Sequence, residues 1–268
     1  MSARRFAKYE GLGNDFLVLD AREWSEEIVT PALAVALCDR HRGVGGDGIL
    51  WVDASRAPAS ARMVIYNSDG SRPEMCGNGV RCVAAWLADE GRIPSGATVT
   101  IESDAGPRPA TLRDHADGAA SVEVSMGVAT LSDARPSVEV GGVAQSVYVV
   151  DVGNPHGVLF DPRGESMELV QGVTGLKEFP QGVNVELVTV TGENALRVRV
   201  HERGVGWTQA CGTGACAVVA AAVRRGLVRA GAATRVTLDG GDLEITVSEA
   251  EGRVTMRGPA RRVFTGAW

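Results

Sequence analysis

The chain has 268 residues, of which 44% are hydrophobic and 22% charged, and a formal net charge of −6. That length and composition suit one large or two ordinary globular domains. The acidic balance argues against a nucleic-acid or anionic-membrane partner. The opening stretch MSARRFAKYEGLGND lacks the apolar core of a secretory signal, and the longest apolar run, CAVVAAAV at 216–223, is far too short to span a bilayer, so a cytoplasmic protein is expected. Five cysteines in a chain of this length do not suggest a disulfide framework.

In chain order, TPALAVALCDRH predicts a helix with Thr30 as its cap and Pro31 at its first position. RMVIYN at 62–67 alternates with period two and reads as a strand. From Asn78 to Glu90 the apolar residues Val80, Val83, Ala84 and Leu87 follow the i, i+3, i+4, i+7 pattern of a helix, with Gly91 as its stop. A short strand follows, TVTIES from 98, and DHADGAA at 114–120 reads as a junction between halves. In the second half LRVRVHE at 196–202 alternates as a strand. Thr213 to Arg225 is a helix apolar almost all round, hence buried on every side. RVTLDG from 235 and LEITVS from 243 are strands, and the terminal RVFTGAW is expected to return to the first half.

The two halves echo each other. An offset of 135 residues carries Cys76 onto Cys211, Gly77 onto Gly212, Gly79 onto Gly214, Gly91 onto Gly226, Gly96 onto Gly231, and RMVIYN onto RVRVHE. GLGND at 11–15 falls more loosely on DVGNP at 151–155. The expected fold is α/β of the α+β type. It has two domains related by a pseudo-twofold axis, 1–119 (with 258–268 returning to it) and 120–257, each a curved, mostly antiparallel sheet around a central helix.

Each copy sets a cysteine before Gly-x-Gly at a helix start. A helix N-terminus carries unpaired N–H groups and partial positive charge, which favour a thiolate and can hold a carboxylate. Two thiols on opposite faces of one carbon would invert a stereocentre, one as thiolate removing the α-proton and the other as thiol returning one. Neither lysine, Lys8 nor Lys177, stands in a Schiff-base context, so pyridoxal phosphate is unnecessary and no cofactor is expected. In a closed form each sulfur would stand about 3–3.5 Å from the reacting carbon.

Plainer readings stand beside these. Cys76 and Cys211 could be small buried hydrophobes, although the paired placement argues against it. Cys38, Cys82 and Cys216 sit inside helical runs and are read as core. No Cys-x-x-Cys pair supports zinc, and no metal is expected. HRGVGGDG lacks the ending of a phosphate loop. Asn14, Asn67, Asn154 and Asn184 could be turn residues, and Glu202 with Arg203 a solvated charge pair.

The stretches YEGLGNDF, RHRGVGGDG, YNSDGSRPEMCGNGVRC, GNPHGV, QGVNVELV and ERGVGWTQACGTGAC, in order from residue 9 to 216, with the ending VFTGAW, resemble the diaminopimelate epimerase family. The resemblance implies a cofactor-independent fold of two similar domains, each a barrel-like sheet around a central helix. It implies interconversion of LL- and meso-diaminopimelate, on the path to lysine and peptidoglycan, and a possible homodimer. By resemblance Cys76 and Cys211 are the acid/base pair, and Gly77–Asn78 and Gly212–Thr213 cradle the carboxylate. Asn14, Asn67, Asn154, Asn184, Glu202 and Arg203 form the substrate-binding set, Arg203 suiting the distal carboxylate. His156 has a supporting role beside the site. Two positions depart from the pattern: Gly48, where some members carry Gln, and Trp207, where many carry Glu. The alternatives are a histidine- or proline-racemase-like enzyme on the same fold and a non-catalytic binding or redox protein.

Overall fold

The computed structural model of the chain describes residues 3 to 163 and 167 to 268. In chain order the strands and helices begin with β1 (Arg5–Gly11), β2 (Asn14–Asp20), α1 (Pro31–Cys38), β3 (Gly48–Asp53) and β4 (Ser60–Asn67). Then come α2 (Gly77–Asp89), β5 (Thr98–Ser103), β6 (Gly106–Ala116) and β7 (Ala119–Val128). The second half holds β8 (Thr130–Leu131), β9 (Ser137–Val140), β10 (Val143–Ser146), β11 (Tyr148–Asp151), β12 (Pro155–Phe160) and α3 (Met167–Thr174). It continues through β13 (Asn184–Gly192), β14 (Ala195–Glu202), β15 (Gly206–Thr208), α4 (Gly212–Arg224), β16 (Thr234–Leu238), β17 (Gly241–Val247) and β18 (Arg253–Ala267). This is a mixed α+β chain with few helices, none of those described being long and apolar enough to cross a membrane.

The contacts divide the chain into two compact units, residues up to Val124 together with Arg257–Trp268, and Ser125–Met256. Residues 114 to 120 lie in the β6–β7 hairpin, whose turn holds Asp117 at φ 51°. The chain passes into the second unit a few residues later, within β7.

In the first unit the strands run in the order β1 to β7, and β18 pairs with both β7 and β1, closing an eight-stranded barrel. The β1–β18 pairing runs from Arg5 beside Ala267 to Glu10 beside Arg261, so the terminal strand is the barrel's last stave. Directions alternate: β1 and β2 antiparallel, β2 and β3 parallel, β3 and β4 antiparallel, β4 and β5 parallel, β5 and β6 antiparallel. A parallel pair needs a long crossover, and α2 supplies the one between β4 and β5.

Helix α2 touches β1 through β6, and every residue from Gly77 to Leu87 is buried, as expected of a helix threaded through a barrel. Outside, α1 covers β3 and β4 with Ala34 and Leu37 on Ile49, Trp51, Val64 and Tyr66. Strand β4 therefore departs from simple alternation. Met63 through Tyr66 are all buried, because both faces of the sheet are covered there. Thr30 caps α1 as expected, its hydroxyl accepting the Leu33 N–H at 3.2 Å.

The second unit repeats the plan. Its sheet order is β17-β16-β14-β13-β12-β11-β8, with β15 added to β14. The pairings β11–β12, β13–β14 and β16–β17 are antiparallel, and β12–β13 and β14–β16 parallel. That is the direction pattern of β1 to β6, with α3 and α4 in the crossover positions of α1 and α2. Helix α4 buries Gly212 and Gly214 through Ala222.

Both inner helices end alike. Gly91 at φ 67° and Gly226 at φ 70° stop the turn, with the Arg92 N–H donating to the Leu87 carbonyl and the Leu227 N–H to the Ala222 carbonyl. A left-handed C′ residue is what makes this paired closure available, and glycine takes it without a Cβ penalty.

Candidate active site

The register shows how closely the two halves correspond. Phe16 lies beside Gly48 across the parallel β2–β3 pair, and His156 beside Asn184 across β12–β13. Gly48 pairs with Asn67, while the next pair after Asn184 in its own ladder, Val185 with His201, sets Asn184 opposite Glu202. The first unit thus offers Asn14, Gly48, Asn67, Cys76 and Asn78 where the second offers Asn154, Asn184, Glu202, Cys211 and Thr213.

Each cysteine is the N-cap residue of its inner helix. Cys76 has φ −142° and ψ 116°, Cys211 φ −126° and ψ 110°. In each the sulfur accepts the third helical N–H, from Gly79 or Gly214, at 3.4 Å. The cysteines do by sulfur what serine does at other caps. The amides ahead of that one, Gly77 with Asn78 and Gly212 with Thr213, belong to the same electropositive first turn.

Around Cys76 the groups are amides backed by a guanidinium. The sulfur lies 3.9 Å from Asn14 Oδ1, which also accepts from Asn78 Nδ2 at 3.2 Å. Asn14 Nδ2 donates to Asp47 Oδ2 at 2.8 Å, and Arg81 Nη2 donates to Asn78 Oδ1 at 2.8 Å. Arg81 is fully buried and also donates from Nε to the Pro259 carbonyl at 3.1 Å. Asn67 does not join this group; its Nδ2 donates to Ser71 Oγ at 2.9 Å, holding the loop after β4.

Around Cys211 the support is different. The sulfur is 3.4 Å from Thr213 Oγ1, which accepts from Asn154 Nδ2 at 3.4 Å. Asn154 Oδ1 meets His156 Nε2 at 3.0 Å, and His156 Nδ1 meets Glu186 Oε1 at 2.6 Å. His156 and Glu186 are both fully buried. Nearby, Thr208 Oγ1 donates to Glu202 Oε1 at 2.6 Å. Asn184 Oδ1 accepts the Arg203 N–H at 3.0 Å, and Asn184 Nδ2 donates to the Pro155 carbonyl at 3.3 Å. The exposed Arg203 guanidinium donates to the Gln181 carbonyl at 2.9 Å.

One electrostatic expectation is reversed. A helix start should favour the thiolate, yet burial pushes the Cys211 thiol well above the ordinary thiol range, and the carboxyls of Glu202 and Glu186 add to the push. The Thr213 hydroxyl and Gly214 amide act the other way without offsetting it. Burial likewise pushes the Cys82 thiol up, and Cys82, Cys216 and Cys38 are core residues.

The departures from the family pattern are explained locally. Trp207 alternates with Gly206 and Thr208 along β15 and so points away from Glu202, which Thr208 holds. It packs on the His201 ring at 5.3 Å and under the Arg199 guanidinium at 4.6 Å. At Gly48 any Cβ would come within 2.5 Å of the Tyr66 carbonyl oxygen, so this backbone has room only for glycine.

Sequence reasoning missed Glu186, Asp47, Arg81 and Thr208. A period-two strand puts Glu186 on the face of Asn184, but nothing in the sequence marks that face as buried. Arg81 stands three residues after Asn78, on the same side of α2.

The diaminopimelate epimerase family model matches residues 6–132 and 148–263. A diaminopimelate epimerase of Synechocystis sp. is 42% identical, with 98% of each chain covered. Diaminopimelate epimerase 1 of Nostoc sp. is 41% identical, covering 98% of this chain and 99% of the relative. Among solved structures, a predicted epimerase from Pseudomonas aeruginosa aligns with a TM-score of 0.77 at 17% identity, covering 99% of both chains. A hydroxyproline epimerase from Agrobacterium vitis aligns at 0.71 and 17% identity, covering all of this chain and 91% of the other. At such identities these two likenesses speak for the fold alone.

Proposed function

The chain belongs to the diaminopimelate epimerase family, and from that premise we propose that it is an isomerase converting LL- to meso-diaminopimelate with Cys76 and Cys211 as its acid/base pair. The observation that carries the mechanism is the repeated cap: two cysteines, one per unit, in matching backbone geometry with the sulfur on the third helical N–H.

In the proposed reaction one sulfur, as thiolate, takes the α-proton. The C–H electron pair passes onto the α-carbon and the adjoining carboxylate. The other sulfur, as thiol, gives its proton to the opposite face and becomes the thiolate. The backbone amides of Gly77–Asn78 and Gly212–Thr213 serve the carboxylate, where electrostatic stabilisation of developing charge has its largest effect. Asn14, Asn67, Asn154, Asn184, Glu202 and Arg203 bind the rest of the substrate, with Arg203 reserved for the distal carboxylate. The same family resemblance carries the assignments to lysine and peptidoglycan precursor supply, to the cytoplasm and to a homodimer.

The test is incubation of the protein with LL-diaminopimelate and, separately, with other amino acids, followed by chiral separation. Meso-diaminopimelate should accumulate toward equilibrium from the LL isomer. Inversion of only another amino acid, such as proline or histidine, would refute the substrate assignment.

A pH profile tests the pair. At low pH neither sulfur is a thiolate and there is no base; at high pH both are and there is no donor. The rate should rise and then fall, with apparent values that belong to the coupled pair. Since the Cys211 thiol is held well above its ordinary value of 9.0, the falling limb should lie well to the alkaline side of that value. A profile of kcat/KM that already falls below it would contradict this account.

A further inference from the structure

We infer that Glu186 is a positioning residue for Cys211, acting through the hydrogen-bonded chain His156–Asn154–Thr213. The inference rests on the reading of Cys211 as an acid/base group given above.

Four contacts lead from the buried carboxyl to the sulfur. They are Glu186 Oε1 to His156 Nδ1 (2.6 Å), His156 Nε2 to Asn154 Oδ1 (3.0 Å), Asn154 Nδ2 to Thr213 Oγ1 (3.4 Å) and Thr213 Oγ1 to Cys211 Sγ (3.4 Å). The direction of the chain is set at its start. Asn154 turns its oxygen to His156, so Nε2 must be the donor there. Nδ1 then either accepts a proton from a neutral Glu186 or, in the imidazolium, donates to the carboxylate. Both states leave Nε2–H donating. Downstream, Asn154 donates to Thr213, which leaves the threonine O–H free to point at the sulfur. Burial pushes the Glu186 carboxyl up, with His156 opposing, and Oε2 has no hydrogen-bond partner among the described residues.

Such an arrangement needs a reason, because a fully buried carboxyl with an unpartnered oxygen costs stability. The first unit shows that the fold does not require it. Two residues along from Gly48, Leu50 takes the place that Glu186 takes two residues along from Asn184, and Phe16 takes that of His156. A second, independent contact agrees. A Cβ added at Gly79 would meet Leu50 Cδ2 at 3.1 Å, and one added at Gly214 would meet Glu186 Oε1 at 2.7 Å. One helix start rests on a hydrocarbon, the other on the head of a polar chain. The chain belongs to the buried cysteine and not to Cys76, which is half-buried and lies by Asn14.

Two variants test this. Glu186→Leu installs the residue the first unit already uses. Glu186→Gln keeps a donor for Nδ1, and so keeps Nε2–H donating. The readout is alkylation by iodoacetamide in substrate-free protein, resolved by peptide mass, with Cys76 as internal reference. Both variants remove the carboxyl that helps push the Cys211 thiol up, so the chain is read from the difference between them. Glu186→Leu should label Cys211 about tenfold more slowly than Glu186→Gln at fixed pH, the scale of one hydrogen bond to a charged group, with Cys76 alike in the two. In turnover Glu186→Leu should lose kcat by about ten- to a hundredfold with little change in KM, as for other groups that orient a reactive side chain. Equal Cys211 labelling in the two variants would mean that Glu186 acts through its charge alone and not through the chain. Equal slowing of both cysteines would mean general loosening. Each of these overturns the inference. If Glu186→Leu does not fold, Thr213→Val cuts the last link instead, and an unchanged Cys211 rate there is equally fatal. Labelling uses no substrate, so failure to epimerise diaminopimelate would not be mistaken for failure of the chain.

Discussion

With Cys211 replaced by alanine, the protein should stop epimerising LL-diaminopimelate yet still exchange its α-hydrogen with solvent. Cys76 keeps its cap position, its contact with the Gly79 amide and its neighbours Asn14 and Asn78. By the family resemblance it is the base for the LL isomer. It can take the proton and return one on the same face, while no donor stands on the other. In heavy water deuterium should enter LL-diaminopimelate that has not inverted, and epimerisation should fall by at least about 10²- to 10⁴-fold, the range for losing a general acid. Cys76→Ala should reverse the preference, favouring exchange at the D-centre of the meso isomer. Alanine at the α4 cap gives up the sulfur contact to the Gly214 N–H, a cost of about 0.5–2 kcal/mol, and little volume, so the variant should stay folded by circular dichroism and the loss should be chemical. Mass and NMR analysis of recovered substrate measures both quantities. Parent-rate epimerisation by either variant would remove the two-thiol mechanism.

The device at the centre of that prediction was legible because it rests on local chemistry. Cysteine before Gly-x-Gly announces a helix start with a small first turn, and its recurrence at a fixed offset announces a second copy. The two inner helices began and ended within a residue of expectation, since Gly91 and Gly226 are local signals, and α1 began at Pro31 behind Thr30 as expected but stopped at Cys38, short of His41; α3 was not anticipated. What was not legible was whatever depends on burial from two sides. Strand β4 reads as alternating in sequence but is apolar on both faces, because α1 lies outside the barrel and α2 inside. The same reason hides Glu186. A glutamate between valine and leucine in QGVNVELV looks like the solvated face of a strand, and only the placement of α4 against that face buries it. The helix-start argument for a reactive thiol failed at Cys211 for a related cause. It counts the amides in the first turn, which are present, but not the loss of water and the two carboxyls behind them.

The burial of that side also makes it the more brittle half, and glycine-to-alanine changes should reveal this. At the third helical position alanine is intrinsically better than glycine by up to about 1 kcal/mol, so on propensity alone both Gly79→Ala and Gly214→Ala should stabilise their helices. The added methyl group decides otherwise. At Gly79 it would meet Leu50 Cδ2 at 3.1 Å, and a leucine methyl can rotate aside. At Gly214 it would stand 2.7 Å from Glu186 Oε1 and 3.4 Å from Cys211 Sγ. Glu186 cannot withdraw cheaply, because it is fully buried and its Oε1 is held 2.6 Å from His156 Nδ1. Either the carboxyl breaks that contact or the first turn of α4 moves, taking the Cys211 cap with it. A misplacement of about 1 Å in a reacting group costs on the order of 100-fold in rate. Gly214→Ala should therefore lose about that much kcat while remaining folded by circular dichroism, and Gly79→Ala should lose far less. Equal losses would mean that the two helix starts are supported alike, contrary to the difference between a leucine and a buried glutamate beneath them.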